Sequence, residues 1–124
     1  MGRRLILDTN ILIDYERGRL GLNVFDDDEL AIAAITVAEY QVGIELADSA
    51  KRAEHRAQAL TAIVTTIEVL DYTYATAQRH AQLIAHTRRS GRLRSAHDLI
   101  IAAHAAHTGR LVVSHDAAAR FGDL

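Results

Sequence analysis

Cysteine, proline and tryptophan are absent from this 124-residue chain, and lysine occurs once, at Lys51. Without cysteine there are no disulfides, thiolate metal sites or cysteine nucleophiles. That composition suits a reducing compartment, so the expected location is cytoplasmic. No apolar run approaches the roughly 20 residues that a membrane span needs. The first basic pair, Arg3-Arg4, is followed by only three apolar residues before Asp8, too few for the core of a secretory signal. A strong charge imbalance is missing too: 14 basic against 16 acidic residues give a net charge of -2, so no overall field draws the chain to nucleic acid.

What is present is 49% apolar residues in a length that suits one domain, 1–124. Thirteen of the 14 basic residues are arginine, and Arg88, Arg89, Arg92 and Arg94 fall within seven positions. Planar guanidinium groups grip phosphate bidentately, which makes these four the candidate nucleic-acid contacts. The competing view is that basic residues there merely complement a helix C-terminus.

With no proline, glycine and charge punctuate the chain. The apolar run Arg4 to Leu7 reads as a buried strand and Ile11 to Glu16 as a short helix, while Asp26-Asp27-Asp28-Glu29 reads as a solvated loop. Leu30 to Ala34 is a second strand. A helix is expected from Thr36, with Val37, Tyr40, Ile44 and Ala47 at helical spacing, and another from about Ala50 to Ile63. The β-branched stretch Thr65 to Leu70 reads as a strand. Thr73 to Ser90, stopped by Gly91, and Ser95 to Thr108, stopped by Gly109, are helices; Leu111 to Val113 is a last strand, and Asp116 opens a short helix over Ala117 to Ala119. Such alternation predicts an α/β fold with a parallel sheet, whose functional crevice lies beyond the carboxyl ends of its strands where strand order reverses.

Four acids occupy equivalent places in that plan. Asp8 follows the first strand, Asp116 follows the last, and Glu39 and Asp98 stand in the first turns of two helices. Each also has a plain structural explanation. Asp8 and Asp116 fit N-caps, and Thr36…Glu39 and Ser95…Asp98 fit capping boxes. Yet Asp98 heads a helix that is apolar nearly all round, and Gly43 on the Glu39 helix costs about 1 kcal/mol relative to alanine, which suggests close packing there. Carboxylates about 4 Å apart repel by about 4 kcal/mol at an effective dielectric of 20, so a shared crevice calls for a cation. All-oxygen ligation suits Mg²⁺ or Mn²⁺, ions that support hydrolysis of phosphate esters.

Taken in order, LILDTNILID (5–14), IAAITVAEY (32–40), HDLIIAAHA (97–105) and LVVSHDAAARF (111–121) resemble the PIN-domain ribonucleases, and in particular VapC toxins of bacterial toxin-antitoxin pairs. The resemblance covers nearly the whole chain. It implies a three-layer α/β/α sandwich with a short parallel sheet of four to five strands, a homodimer, and Mg²⁺- or Mn²⁺-dependent endonucleolytic cleavage of RNA, tRNA or rRNA above all. On this resemblance Asp8, Glu39, Asp98 and Asp116 are the catalytic and metal-binding acids, Thr9, Asn10 and Thr36 the supporting polar residues, and a VapB-like antitoxin the partner. Some members carry asparagine at the position of Asp116, and many continue beyond Leu124 through a further edge strand.

Other readings carry expectations of their own. His97 is expected on a different face from Asp98, because adjacent helical residues point about 100° apart, and so to be exposed or to support a neighbouring ligand. His104 and His107 have the spacing of a metal pair but no acid beside them in sequence, and are expected to be partly exposed. Asp14 is expected to be a solvated helix acid. A receiver-type phosphoacceptor would need paired acids at the first strand and a lysine after the last, yet Lys51 falls on a predicted helix. A catalytically inactive PIN-like binding module is the remaining alternative.

Overall fold

The computed structural model describes residues 2–92 and 94–115. The elements run β1 (Arg4–Leu7), α1 (Thr9–Glu16), a 3-10 turn (Leu22–Phe25), β2 (Glu29–Ala33), α2 (Ala34–Glu45), α3 (Ala50–Thr66), β3 (Glu68–Leu70), α4 (Tyr74–Ser90), α5 (Ala96–Thr108) and β4 (Leu111–Val113). All four strands pair in parallel, in the order β3-β2-β1-β4. The chain builds outward from β1 through β2 to β3 and then returns to the other side of β1. Strand order therefore reverses between β1 and β4, and the carboxyl ends of these two strands define the crevice.

Side chains alternate across the sheet, and each face carries its own core. Leu7 and Ile32 face α1, α2 and α3, where they cluster with Ile11, Leu12, Tyr40, Leu60, Ile63 and Ile67. Ile6 and Ala33 face the other way, onto Ile101 and Ala105 of α5, against which α4 packs. This is the expected three-layer sandwich. At the amino ends of the strands, Arg110 binds the whole sheet together. Its guanidinium reaches the carbonyl oxygens of Leu5 (3.3 Å) and Glu29 (3.5 Å) and the Glu68 carboxylate (3.2 Å).

Several local expectations change. Thr65 and Thr66 belong to α3, not to a strand, because their hydroxyls donate back to the carbonyls of Thr61 (2.9 Å) and Ala62 (2.7 Å) and so accommodate β-branching inside a helix. Glu29 opens β2 instead of closing a solvated loop, and Asp28 is not solvated either: its carboxylate accepts from the backbone N–H of Arg3 at 2.8 Å and from the Arg3 guanidinium. Helix α2 starts at Ala34, two residues early, and its N-cap Ala33 offers no side-chain bond. Gly91 and Gly109 do end their helices, in the left-handed region at φ 70° and 66°. Among the described residues no helix is long and apolar enough to cross a membrane. The short helix expected from Asp116 lies outside the described residues.

Candidate active site

Asp8 sits at the reversal point between β1 and β4. Its backbone N–H donates to the Val113 carbonyl at 3.0 Å, so the ladder between the strands ends on this residue. The N-cap role anticipated for it is real but uses one oxygen: Oδ1 accepts the Thr9 N–H at 2.8 Å. The other, Oδ2, accepts from Ser114 Oγ at 3.0 Å, and Ser114 Oγ in turn accepts from Asn10 Nδ2 at 3.1 Å. Burial to 5% exposure would by itself raise the Asp8 pKa, but His97, the Thr9 N–H and Ser114 together outweigh it and hold the group below the ordinary carboxylate value. An acid held ionised inside the fold is suited to binding a cation.

Glu39 is not a capping acid. Thr36 lies inside α2, fully buried, so the Thr36…Glu39 capping box does not form. Instead Glu39 Oε2 lies 2.9 Å from Nδ1 of His97, and the other ring nitrogen, Nε2, lies 3.6 Å from Asp8 Oδ1. Of the two roles expected for His97, exposure is thus set aside and support of neighbouring acids is what the contacts show: it stands between two of the four acids. Helix α5 meets the crevice with its first turn, so counting faces around its axis did not exclude the residue. The imidazole pKa is raised, by Asp8 first and then, against the effect of burial, by Glu39 and Asp98.

Ser95 caps α5 by accepting the Asp98 N–H at 3.0 Å. Asp98 is half-buried in that first turn, close enough for its charge to act on His97. Three further polar atoms in the first turns of α1 and α2 are buried with no hydrogen-bond partner: Thr9 Oγ1, Asn10 Oδ1 and Thr36 Oγ1. Buried polar atoms are rarely left unpaired without a ligand or water to meet them. This donor set, carboxylates with orphaned oxygens around one crevice, fits a hard divalent cation. Among the described residues no three His, Asp or Glu side chains converge closely enough to hold an ion by themselves. Asp116, the fourth predicted acid, lies outside the described residues.

Beside Thr9 and Glu39 opens a cleft of 280 Å³, walled by Ile13, Tyr40, Gly43 and Arg56. Tyr40 keeps its proton, its pKa pushed up to about 12 by burial and then by Glu16. A Cβ placed on Gly43 would meet nothing within 4 Å, so close packing does not explain this glycine.

The four arginines lie at the far end of α4 and in the link to α5. Arg88 and Arg89 are exposed in the last turn, Arg92 is exposed, and Arg94 is half-buried just before Ser95. Asp14 joins neither Asp8 nor Glu39. It is half-buried, not solvated, and lies 3.0 Å from His115 Nε2. His104 is buried, against expectation, with Tyr72 edge-on at 6.3 Å, whereas His107 is exposed. Sequence reading missed Ser114 as a partner of Asp8; a serine two residues ahead of a candidate acid was the only signal available.

The sequence pattern of the PIN-domain family matches residues 5–121. Ribonuclease VapC5 of Mycobacterium tuberculosis is 34% identical over 113 residues, covering 90% of this chain and 82% of the relative. The tRNA(fMet)-specific endonuclease VapC of Shigella flexneri is 30% identical over 120 residues, covering 91% and 86%. Among solved structures, DNA-bound VapBC from Salmonella typhimurium matches with a TM-score of 0.82 at 26% identity, covering 100% of this chain and 92% of that one. The toxin-antitoxin complex VapBC-5 from Mycobacterium tuberculosis matches at 0.76 and 29%, covering 91% and 85%. With its reversal-point acid, its strand order and these likenesses together, the chain belongs to the PIN-domain family and is of the VapC type.

Proposed function

We propose that this protein is a divalent-metal-dependent endoribonuclease, the toxin of a toxin-antitoxin pair, with a tRNA or rRNA as its substrate. The observation that carries the reading is the buried, ionised Asp8 at the reversal of strand order, tied through Ser114 to Asn10 and faced by His97 and Glu39. Asp8, Glu39, Asp98 and Asp116 would hold Mg²⁺ or Mn²⁺, with Thr9, Asn10 and Thr36 supporting them. Bound there, a divalent ion activates water and neutralises charge on the phosphate.

The chain's own residues then have separable tasks. Ser114 and the Thr9 N–H fix the Asp8 carboxylate in one orientation, which spares it reorganisation when substrate arrives. His97 keeps Asp8 and Glu39 within one crevice despite their repulsion. The N-terminus of α2, without a side-chain cap, leaves backbone N–H groups for a phosphate oxygen. Arg88, Arg89, Arg92 and Arg94, in the segment that leads into the first turn of α5, would carry the neighbouring backbone of the RNA. The VapBC complexes among the structural relatives support a VapB-like antitoxin as partner; a homodimer as the working form is what the family resemblance implies.

Incubation of purified protein with cellular RNA and Mn²⁺, followed by mapping of new 5′ ends, tests the proposal. Wild type should give discrete cuts in one tRNA or rRNA loop, and Asp8→Asn or Asp98→Asn, with folding intact, should give none. Cutting by wild type that is unchanged in both variants would remove the acids from the mechanism. Complete inactivity of wild type would favour the inactive binding module.

A further inference from the structure

We propose that the cleft between α1 and α2 seats one unpaired base of the RNA, guanine by preference, next to the phosphate that is cut. The proposal rests on the reading above that the substrate is RNA. Thr9 and Glu39 belong both to the acidic crevice and to the walls of this 280 Å³ cleft, so a base that enters it can stay joined to a phosphate at the acids. From Glu39 to Gly43 the helix advances about 6 Å, at roughly 1.5 Å per residue, a distance that one nucleotide spans. The volume lies just below the roughly 300–1,000 Å³ of pockets for whole ligands, which suits a single base and excludes a stacked run. Gly43 supplies the room. A Cβ there would meet nothing within 4 Å, so the glycine's cost to the helix is explained by the space it leaves.

The lining selects by charge and by hydrogen bonding. Arg17 and Arg56 repel a cation while Glu16 and Glu39 repel an anion, which leaves a neutral group that both donates and accepts. Tyr40 lines the cleft, is 5% exposed, and has a buried hydroxyl with no hydrogen-bond partner. An aliphatic side chain from a protein partner would leave that hydroxyl unsatisfied, whereas the polar edge of a base would meet it. Arg56 is held in place: Nη1 donates to the Gly43 carbonyl at 2.6 Å, and Nε lies 3.4 Å from Glu16 Oε1. Oε2 of Glu16 and Nη2 of Arg56 make no hydrogen bond among the described residues, so an acceptor and a donor stand side by side. Guanine carries the complement on one edge, where N1–H and the exocyclic amine donate and O6 accepts. Unpaired bases in RNA are read on such edges, and Ile13 adds an apolar wall for the ring.

The test uses the full chain with Mn²⁺ and a pool of single-stranded RNA of random sequence, whose cut sites are read by sequencing. Wild type should show guanine enriched at one fixed position beside the cut. Inosine at that position lacks the exocyclic amine and should lower cleavage about tenfold, the scale of one paired contact to a base edge. Glu16→Gln should erase the difference between guanine and inosine, and Gly43→Leu, which fills the cleft, should lose the enrichment; thermal melts confirm that both fold. Enrichment in both variants equal to that of wild type, or cutting by wild type with no base preferred at any fixed position, would overturn the proposal while leaving the nuclease intact. Unchanged cleavage by Gly43→Leu with lost inhibition by the cognate antitoxin would give the cleft to that protein and overturn it too. No cutting by folded wild type would overturn both readings.

Discussion

Ser114 and Asp8 stand 106 positions apart in the chain, yet Ser114 Oγ donates to Asp8 Oδ2 at 3.0 Å across the junction of β4 and β1. The parallel pairing of Leu7 with Val113 brings them together, so the register of the sheet sets the orientation of the central carboxylate. In Ser114→Ala, Asp8 loses a donor and Asn10 Nδ2 loses its acceptor. We expect kcat for Mn²⁺-dependent RNA cleavage to fall about tenfold with KM little changed, as for other groups that orient a metal-binding side chain. Stability should fall by only about 1 kcal/mol, the usual worth of one hydrogen bond. Asn10→Ala should do the same more weakly. Steady-state kinetics with a thermal melt separates orientation from folding, and a rise in KM alone would refute the orienting role.

How much of this was legible in the sequence follows from the range of the interactions involved. The end of β1 at Asp8 and the stops at Gly91 and Gly109 depend on neighbours in sequence, and they were readable. The Thr36…Glu39 capping box failed because the box is a local pattern, whereas α2 begins at Ala34 where β2 delivers the chain to the crevice. For His97 the choice between an exposed and a supporting role stayed open because its partners Asp8 and Glu39 come from two other elements. Asp28 read as solvated because Arg3, which neutralises it, lies 25 positions earlier.

Gly43 offers a gain in stability. Its C=O accepts from Arg56 Nη1 at 2.6 Å, a bond that any residue at that position would keep, and the space beside its Cα is open. Gly43→Ala should therefore stabilise α2 by up to about 1 kcal/mol, the difference in helix propensity. A melting temperature raised by a few degrees in calorimetry is the expected result. A lowered one would mean that the cleft closes tightly on this backbone in solution.

His104 should make the fold sensitive to mild acid. Burial, and then His107, lower its pKa below the ordinary value; Asp71 opposes them and His80 adds to them. The unfolded chain therefore binds a proton at this position more readily than the folded one. The sign follows from linkage: the contribution is complete above about pH 6.5, the unfolded value, and is lost as pH falls toward the folded value. Raised groups such as His97 work in the opposite sense, so the comparison must be a difference. In urea denaturation from pH 7.5 to 5, wild type should lose more stability than His104→Leu. Parallel curves for the two proteins would show that His104 titrates normally in the fold.

Arg110 separates two kinds of bond in one side chain. Its guanidinium is buried at 5% exposure, while its ion-pair partner Glu68 is 64% exposed and so well screened. Exposed partners contribute about 1 kcal/mol at most, so Glu68→Gln should change stability by no more than that. The contacts with the Leu5 and Glu29 carbonyls hold the guanidinium beneath β1 and β2. Arg110→Ala loses these contacts and the packing of the aliphatic stem together, and should cost about 3 kcal/mol. Arg110→Met keeps the packing of the stem and loses only the polar contacts, with the exposed Glu68 left to solvent, so it should cost about half as much. Chemical denaturation of the three variants gives the order directly. A Glu68→Gln penalty as large as that of Arg110→Ala would mean that the ion pair, not the carbonyl contacts, anchors the amino ends of the sheet.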